Sequence, residues 1–288
     1  MPGAATTSDP TSDLTSDPTS DHTSDPMNDP MSDPSAPPAR ELLQAEWRAF
    51  AELGAFYALL PLLRLSPGGD GHPVLVLPGL AAGDASTGPL RAFLRDRGWR
   101  AHGWRPGTNY GPRPGVEEAM HARLAGLHAR YGAKVSVIGW SLGGIYAREL
   151  ARRSPERVRA VITLGSPFAG DPRASHARHL YEFVSGRRAD AGHPWRARMP
   201  EPPPVPATAI YSRSDGVVAW QGCREREAPH TENIEVEGSH GGLGHNPVVL
   251  HAIADRLAQP EGGWRPFERR GLRRFVYPDP NRDRRAAA

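Results

Sequence analysis

The sequence predicts an α/β protein, a mostly parallel, twisted sheet flanked by helices. Three observations predict it. From residue 73 onward, short runs rich in Val, Ile and Leu alternate with longer segments of helical periodicity, the pattern of parallel strands joined by helical crossovers. One of these runs, Val135–Ile138, ends in Gly139-Trp140-Ser141-Leu142-Gly143 and passes within about two residues into apolar residues at helical spacing. The single cysteine, Cys223, excludes an internal disulfide framework and a cysteine-rich zinc site, so a hydrophobic core must carry the fold.

The 288 residues, 38% hydrophobic and 23% charged, are enough for one core of about 250 residues. Residues 1–38 stand apart. They repeat a Thr-Ser-Asp-Pro unit with almost nothing apolar, and recurring proline forbids a helix, so the segment is expected to be disordered. The globular domain is then 39–288. Residues 1–39 hold seven Asp and no Lys or Arg, leaving 25 acidic side chains in the remainder against all 35 Lys and Arg. Lys134 is the only lysine, and no nucleic-acid-binding module accompanies the arginines; no nucleic-acid partner is expected. The N-terminus shows neither the basic nor the apolar region of a signal peptide, and no run reaches the roughly 18–20 residues of a membrane span, so the expected location is cytoplasmic.

Residues 40–64 read as an amphipathic helix ending near Pro61. It is apolar over much of its circumference, which allows weak membrane-surface association alongside packing on the domain. Then come a strand at 73–79, a helix at 87–97, a strand at 100–107 and a helix at 115–131 with Met120, Leu124 and Leu127 on one side. The strand at 134–138 precedes a helix at 142–153; further strands follow at 157–167, 207–216 and 233–240, before a closing helix at 246–258. Residues 168–206 interrupt the alternation, rich in Pro, Arg and Gly, as a cap or lid insertion would. The basic tail, 259–288, carries aromatic residues that should pack back on the domain.

A serine hydroxyl is a poor nucleophile without a base to take its proton and donors for the developing oxyanion. In a strand–Gly-x-Ser-x-Gly–helix turn, Gly139 and Gly143 leave room for Ser141 to project above the sheet edge, while the Leu142 amide opens the helix. The remaining partners are sought downstream in the order acid, then histidine. Asp215 follows a strand's carboxyl end; Glu235 and Glu237 are weaker substitutes. His240 leaves the last strand in a Gly-rich loop and is preferred to His245, which begins the closing helix. The second oxyanion donor belongs after the first strand, where Leu80 follows Pro78-Gly79. His176 and His179 are spaced as metal ligands but lack a third, so no metal is expected.

With LPGL, GWSLGG, YSRSDGVV and GSHGGLGHNP spread over residues 73–258, the chain resembles the α/β-hydrolase superfamily, and within it bacterial serine esterases and lipases. The usual His-Gly oxyanion motif is replaced by Pro78-Gly79. The resemblance implies an eight-stranded fold shortened at its N-terminus, a Ser141–His240–Asp215 triad, no cofactor, and a variable cap at 168–206. Phe168, Tyr181, Phe183, Trp195 and Trp220, in or beside that cap, are the expected lining of an apolar pocket for a small-molecule or lipid-like ester. Acyl transfer by the same triad, or a non-catalytic binding role on the same fold, are the alternatives.

Overall fold

The computed structural model describes residues 36–171, 174–178, 181–182 and 198–283. Six strands among these form a single parallel sheet: β1 (Pro73–Leu77), β2 (Arg100–Gly103), β3 (Val135–Trp140), β4 (Val158–Leu164), β5 (Ala207–Ser212) and β6 (Thr231–Val236), in the spatial order β2-β1-β3-β4-β5-β6. Every strand predicted from the apolar runs is present, most of them shorter than the runs themselves. The chain begins in the sheet's interior, steps outward to β2, returns beside β1 as β3, and then proceeds to the other edge. That reversal opens a crevice beyond the carboxyl ends of β1 and β3, where open α/β sheets hold their sites.

Helices cover both faces because the strands are apolar on both. Along β1, Val74 and Val76 enter one core with Phe93 and Leu94 of α4 (Gly88–Asp96) and with Val249, Leu250 and Ile253 of α7 (Pro247–Leu257). Leu75 and Leu77 enter the other core with Met120, Leu124 and Leu127 of α5 (Val116–Tyr131) and with Tyr146 and Leu150 of α6 (Leu142–Arg153). This alternation within one short strand is why it reads as a continuous apolar run. Each fully buried Leu contributes about 1.5–3 kcal/mol. Asn246 caps α7 by accepting the Val248 amide at 2.9 Å, and Pro247 occupies a position needing no N–H.

The N-terminal segment is a broken helix rather than one that stops at Pro61. It comprises α1 (Arg40–Gln44), a 3-10 turn (Ala45–Trp47), α2 (Arg48–Ala58) and α3 (Leu60–Leu63). Pro61 lies in the first turn of α3, where its missing N–H has no intrahelical acceptor to lose. Phe56 and Leu63 anchor the segment in the α4/α7 core. The tail returns through Phe267 and Tyr277, which meet edge to face at 4.7 Å, and a short helix α8 (Arg273–Val276). Among the described residues, no helix is long and apolar enough to cross a membrane.

Candidate active site

Ser141 lies between β3 and α6 with φ 53° and ψ −122°, a conformation that costs a non-glycine residue about 1–3 kcal/mol. The strand end and the helix start hold it there. A Cβ at Gly139 would collide with the Gly143 carbonyl, and one at Gly143 with the Leu77 carbonyl, so the two glycines let the turn close against itself and against β1. The Ser141 amide donates to the Leu164 carbonyl at 2.8 Å, fixing the turn to β4. The Leu142 amide begins α6, where no intrahelical acceptor exists.

Asp215 and His240 come from the loops after β5 and β6 and meet at the same sheet end. The His240 Nδ1–H donates to Asp215 Oδ2 at 2.6 Å. Asp215 Oδ1 accepts the amides of Val217 at 2.8 Å and Val218 at 2.9 Å, so the carboxylate is buried but fully partnered. Burial disfavours the His240 imidazolium, but the charge and hydrogen bond of Asp215, joined by the charge of Glu46, outweigh it and raise the pKa. The Trp140 indole, one residue before the serine, donates to the His240 carbonyl at 3.1 Å and ties the elbow to the histidine loop. Among the described residues the Ser141 hydroxyl has no hydrogen-bond partner.

Gly79 packs against Ser141, since a Cβ there would come within 3.3 Å of the serine Cβ. Asn109, fully buried, holds the Leu80 loop: its Nδ2 donates to the Pro78 carbonyl at 2.9 Å, its carbonyl accepts the Ala81 amide at 2.7 Å and its amide donates to Ala82 at 2.8 Å.

The histidines and carboxylates that competed in sequence are occupied elsewhere. His245 Nε2–H donates to the Ala49 carbonyl at 2.9 Å, and His176 Nε2–H to the Pro38 carbonyl at 2.7 Å. His179 lies outside the described residues, among which no cluster of three or more metal-ligating side chains occurs. Glu235 is buried against the Tyr211 hydroxyl and Arg213, and Glu237 accepts the Ser214 hydroxyl at 3.0 Å.

Of the expected pocket residues, Phe168 is 3% exposed, packed with Met199 and Ala209 beneath the Arg148 guanidinium, 3.8 Å from its ring. Tyr181 joins the cluster that contains Leu80, Leu142 and Tyr146. Trp220 stacks on Tyr211 at 5.7 Å, under Arg213. Phe183 and Trp195 lie outside the described residues.

Residues with little local sequence signature hold the loops of Asp215 and His240 from elsewhere in the chain. Glu46, in the N-terminal segment, accepts backbone N–H groups from Gly216, His240 and Gly241, each at 2.9 Å. Glu52 accepts the Ser239 amide at 2.8 Å, and Arg48 donates to the Ser214 carbonyl at 2.8 Å. Gly165, at φ +52°, lies beneath the Asp215–His240 pair; a Cβ there would come within 3.1 Å of both Asp215 Oδ2 and His240 Nδ1. The residue pattern carries only a faint sign of these: Glu46 and Glu52 among the charged positions of an amphipathic segment, and a glycine directly after a strand.

No protein-family model matches the chain, and neither does any curated protein. Solved structures similar in layout include an α/β hydrolase from a sediment metagenome of the Mar Chica lagoon, Morocco, 16% identical with a TM-score of 0.47 over 65% of this chain and 90% of that one. Aspergillus fumigatus lipase B is 17% identical with a TM-score of 0.49, over 69% of this chain and 56% of that one. Paleococcus ferrophilus monoacylglycerol lipase is 16% identical with a TM-score of 0.47, over 64% and 96%. The fold follows from the chain's own layout: parallel strands in the order β2-β1-β3-β4-β5-β6, a strained serine at the β3–α6 turn, and an aspartate and a histidine delivered by the loops after β5 and β6. The chain has the α/β-hydrolase fold.

Proposed function

We propose that the chain is a serine hydrolase of carboxylic esters, with Ser141 as nucleophile, His240 as general base and acid, and Asp215 as the group that orients the imidazole. The observation that carries this reading is the 2.6 Å Asp215–His240 bond at the sheet end that also presents the strained Ser141. With its Nδ1–H committed to Asp215, the neutral imidazole presents Nε2 as an acceptor.

Ser141 Oγ attacks the ester carbonyl while its proton passes to His240 Nε2. The oxyanion is received by the Leu80 and Leu142 amides. The C–O bond to the alcohol then breaks, and Nε2 returns the proton to the departing alkoxide. Water attacks the acyl-enzyme, giving its proton to Nε2 and then to Ser141 as the acid leaves. The buried, partnered carboxylate stabilises the imidazolium formed in each half-reaction. No cofactor enters this scheme.

Hydrolysis of p-nitrophenyl esters of increasing acyl length tests the reading. Turnover that Ser141→Ala abolishes, with preference for one range of chain lengths, is expected. Equal turnover by the variant would reject it. Adding an alcohol to the same assay separates hydrolysis from acyl transfer by the product formed.

A further inference from the structure

Apart from Tyr110, every large hydrophobic side chain that is exposed among the described residues lies in 43–65 or 272–276. Leu43, Trp47, Phe50 and Tyr57 fall at i, i+4, i+7 and i+14, one stripe of the N-terminal segment, and Trp47 and Phe50 are 67% and 80% exposed. The segment's opposite side is the one committed to the domain, through Phe56, Leu63 and the Glu46 and Glu52 contacts. Leu62 and Leu65 extend the apolar surface toward α8, where Leu272 and Phe275 are 82% and 72% exposed. The two elements meet across a shallow apolar groove of about 290 Å³, with Leu59 and Leu62 on one wall and Leu272 and Val276 on the other. Exposed apolar side chains gathered on two neighbouring elements, rather than scattered singly, mark an interaction surface.

The rim of this surface decides what covers it. Arg64 and Arg274 are exposed on these two elements and Arg40 and Arg270 just beside them; Arg274 lies over the Phe275 ring at 4.8 Å and Arg64 pairs with Asp96 at 3.5 Å, while the other exposed acids beside them are Glu41 and Glu268. Aromatic and aliphatic side chains ringed by arginine, on helices lying along the surface rather than crossing it, match the headgroup region of an anionic bilayer. We propose that the outer face of residues 43–65, together with 272–276, docks the protein on anionic lipid membranes. The inner side of the same segment grips the loops of Asp215 and His240 through Glu46 and Glu52. The inference concerns binding and does not depend on the esterase reading.

Flotation of the full chain with phosphatidylcholine vesicles, with and without phosphatidylglycerol, tests it. The expected result is co-flotation that requires phosphatidylglycerol, weakens with added salt, and falls about tenfold or more in a Phe50→Glu/Phe275→Glu variant. These side chains are exposed, so the variant should keep its circular dichroism spectrum and its turnover of a short soluble ester. Arg270→Glu/Arg274→Glu should remove the phosphatidylglycerol dependence. The proposal is overturned if the wild-type chain stays unbound with phosphatidylglycerol vesicles, or if the Phe variant floats equally. It is also overturned if the chain is a dimer that Phe50→Glu converts to monomer, since a second copy then occupies the face.

Discussion

The Glu46 carboxylate accepts the backbone N–H of His240 at 2.9 Å, across 194 positions of sequence. The same carboxylate takes the amides of Gly216 and Gly241, so one side chain spans the loops carrying both Asp215 and His240. Its charge also helps raise the His240 pKa, after burial and Asp215 have set their opposing effects.

Glu46→Gln keeps the shape but removes the charge and part of the acceptor capacity. A base must be neutral to act, so turnover rises with pH through the His240 pKa, which lies above the ordinary imidazole value. Loss of an anion beside the imidazolium lowers that pKa, so the acid limb of the pH–kcat/KM profile should move to lower pH. Maximal kcat should fall by about tenfold as the loops lose their brace. An unmoved limb would show that Glu46 acts on the fold alone.

Asp215→Asn should be far more costly. Oδ1 already accepts two amides, so the asparagine oxygen stays there and its NH2 faces His240 Nδ1. The imidazole is then forced into the tautomer with a proton on Nε2, which cannot accept from Ser141. A fall in kcat of about 10⁴-fold with little change in melting temperature is expected, measured by steady-state kinetics.

Gly165→Ala places a methyl group against Leu243 Cδ1 at 2.7 Å and beneath the Asp215–His240 pair, at a backbone φ of +52°. A stability loss of about 1–3 kcal/mol in urea titration should accompany a loss of activity larger than the stability loss explains. Wild-type kcat in the folded variant would contradict the packing described.

Arg148 is buried in an ion pair with Glu225 and donates to the carbonyls of Met199 and Glu201 at 2.9 and 2.7 Å. It therefore fastens the chain at Met199–Glu201 to α6. Burial lowers its pKa to about 10 and pushes that of Glu225 up, each against the pull of its partner. Arg148→Met should cost about 3–5 kcal/mol by leaving Glu225 unpaired, and Glu225→Met added to it should recover part of that loss.

The order of strands and helices was legible because each parallel strand is apolar on both faces and each helix on one, as β1 and α5 illustrate. The elbow was legible because a strand, two close-packed glycines and a helix start are all local. That Asp215 and His240 leave neighbouring strand ends could be read because strand ends are local as well, and their side chains meet in the fold. Glu46, Asn109 and Gly165 act over distances that no local pattern records; an acidic residue on an amphipathic helix carries no mark of which loop it will hold. The break at Pro61 was misjudged for the same reason. Proline ends one helix and opens the next equally well, and the packing of Phe56 and Leu63 chose.

The most direct test of the central claim is labelling with a fluorophosphonate, which reacts only with an activated serine, followed by peptide mapping. Wild-type protein should be labelled at Ser141, and both Ser141→Ala and His240→Ala should abolish the label while remaining folded. Labelling at another residue, or an unlabelled folded wild type, would contradict the assignment of Ser141 as the nucleophile.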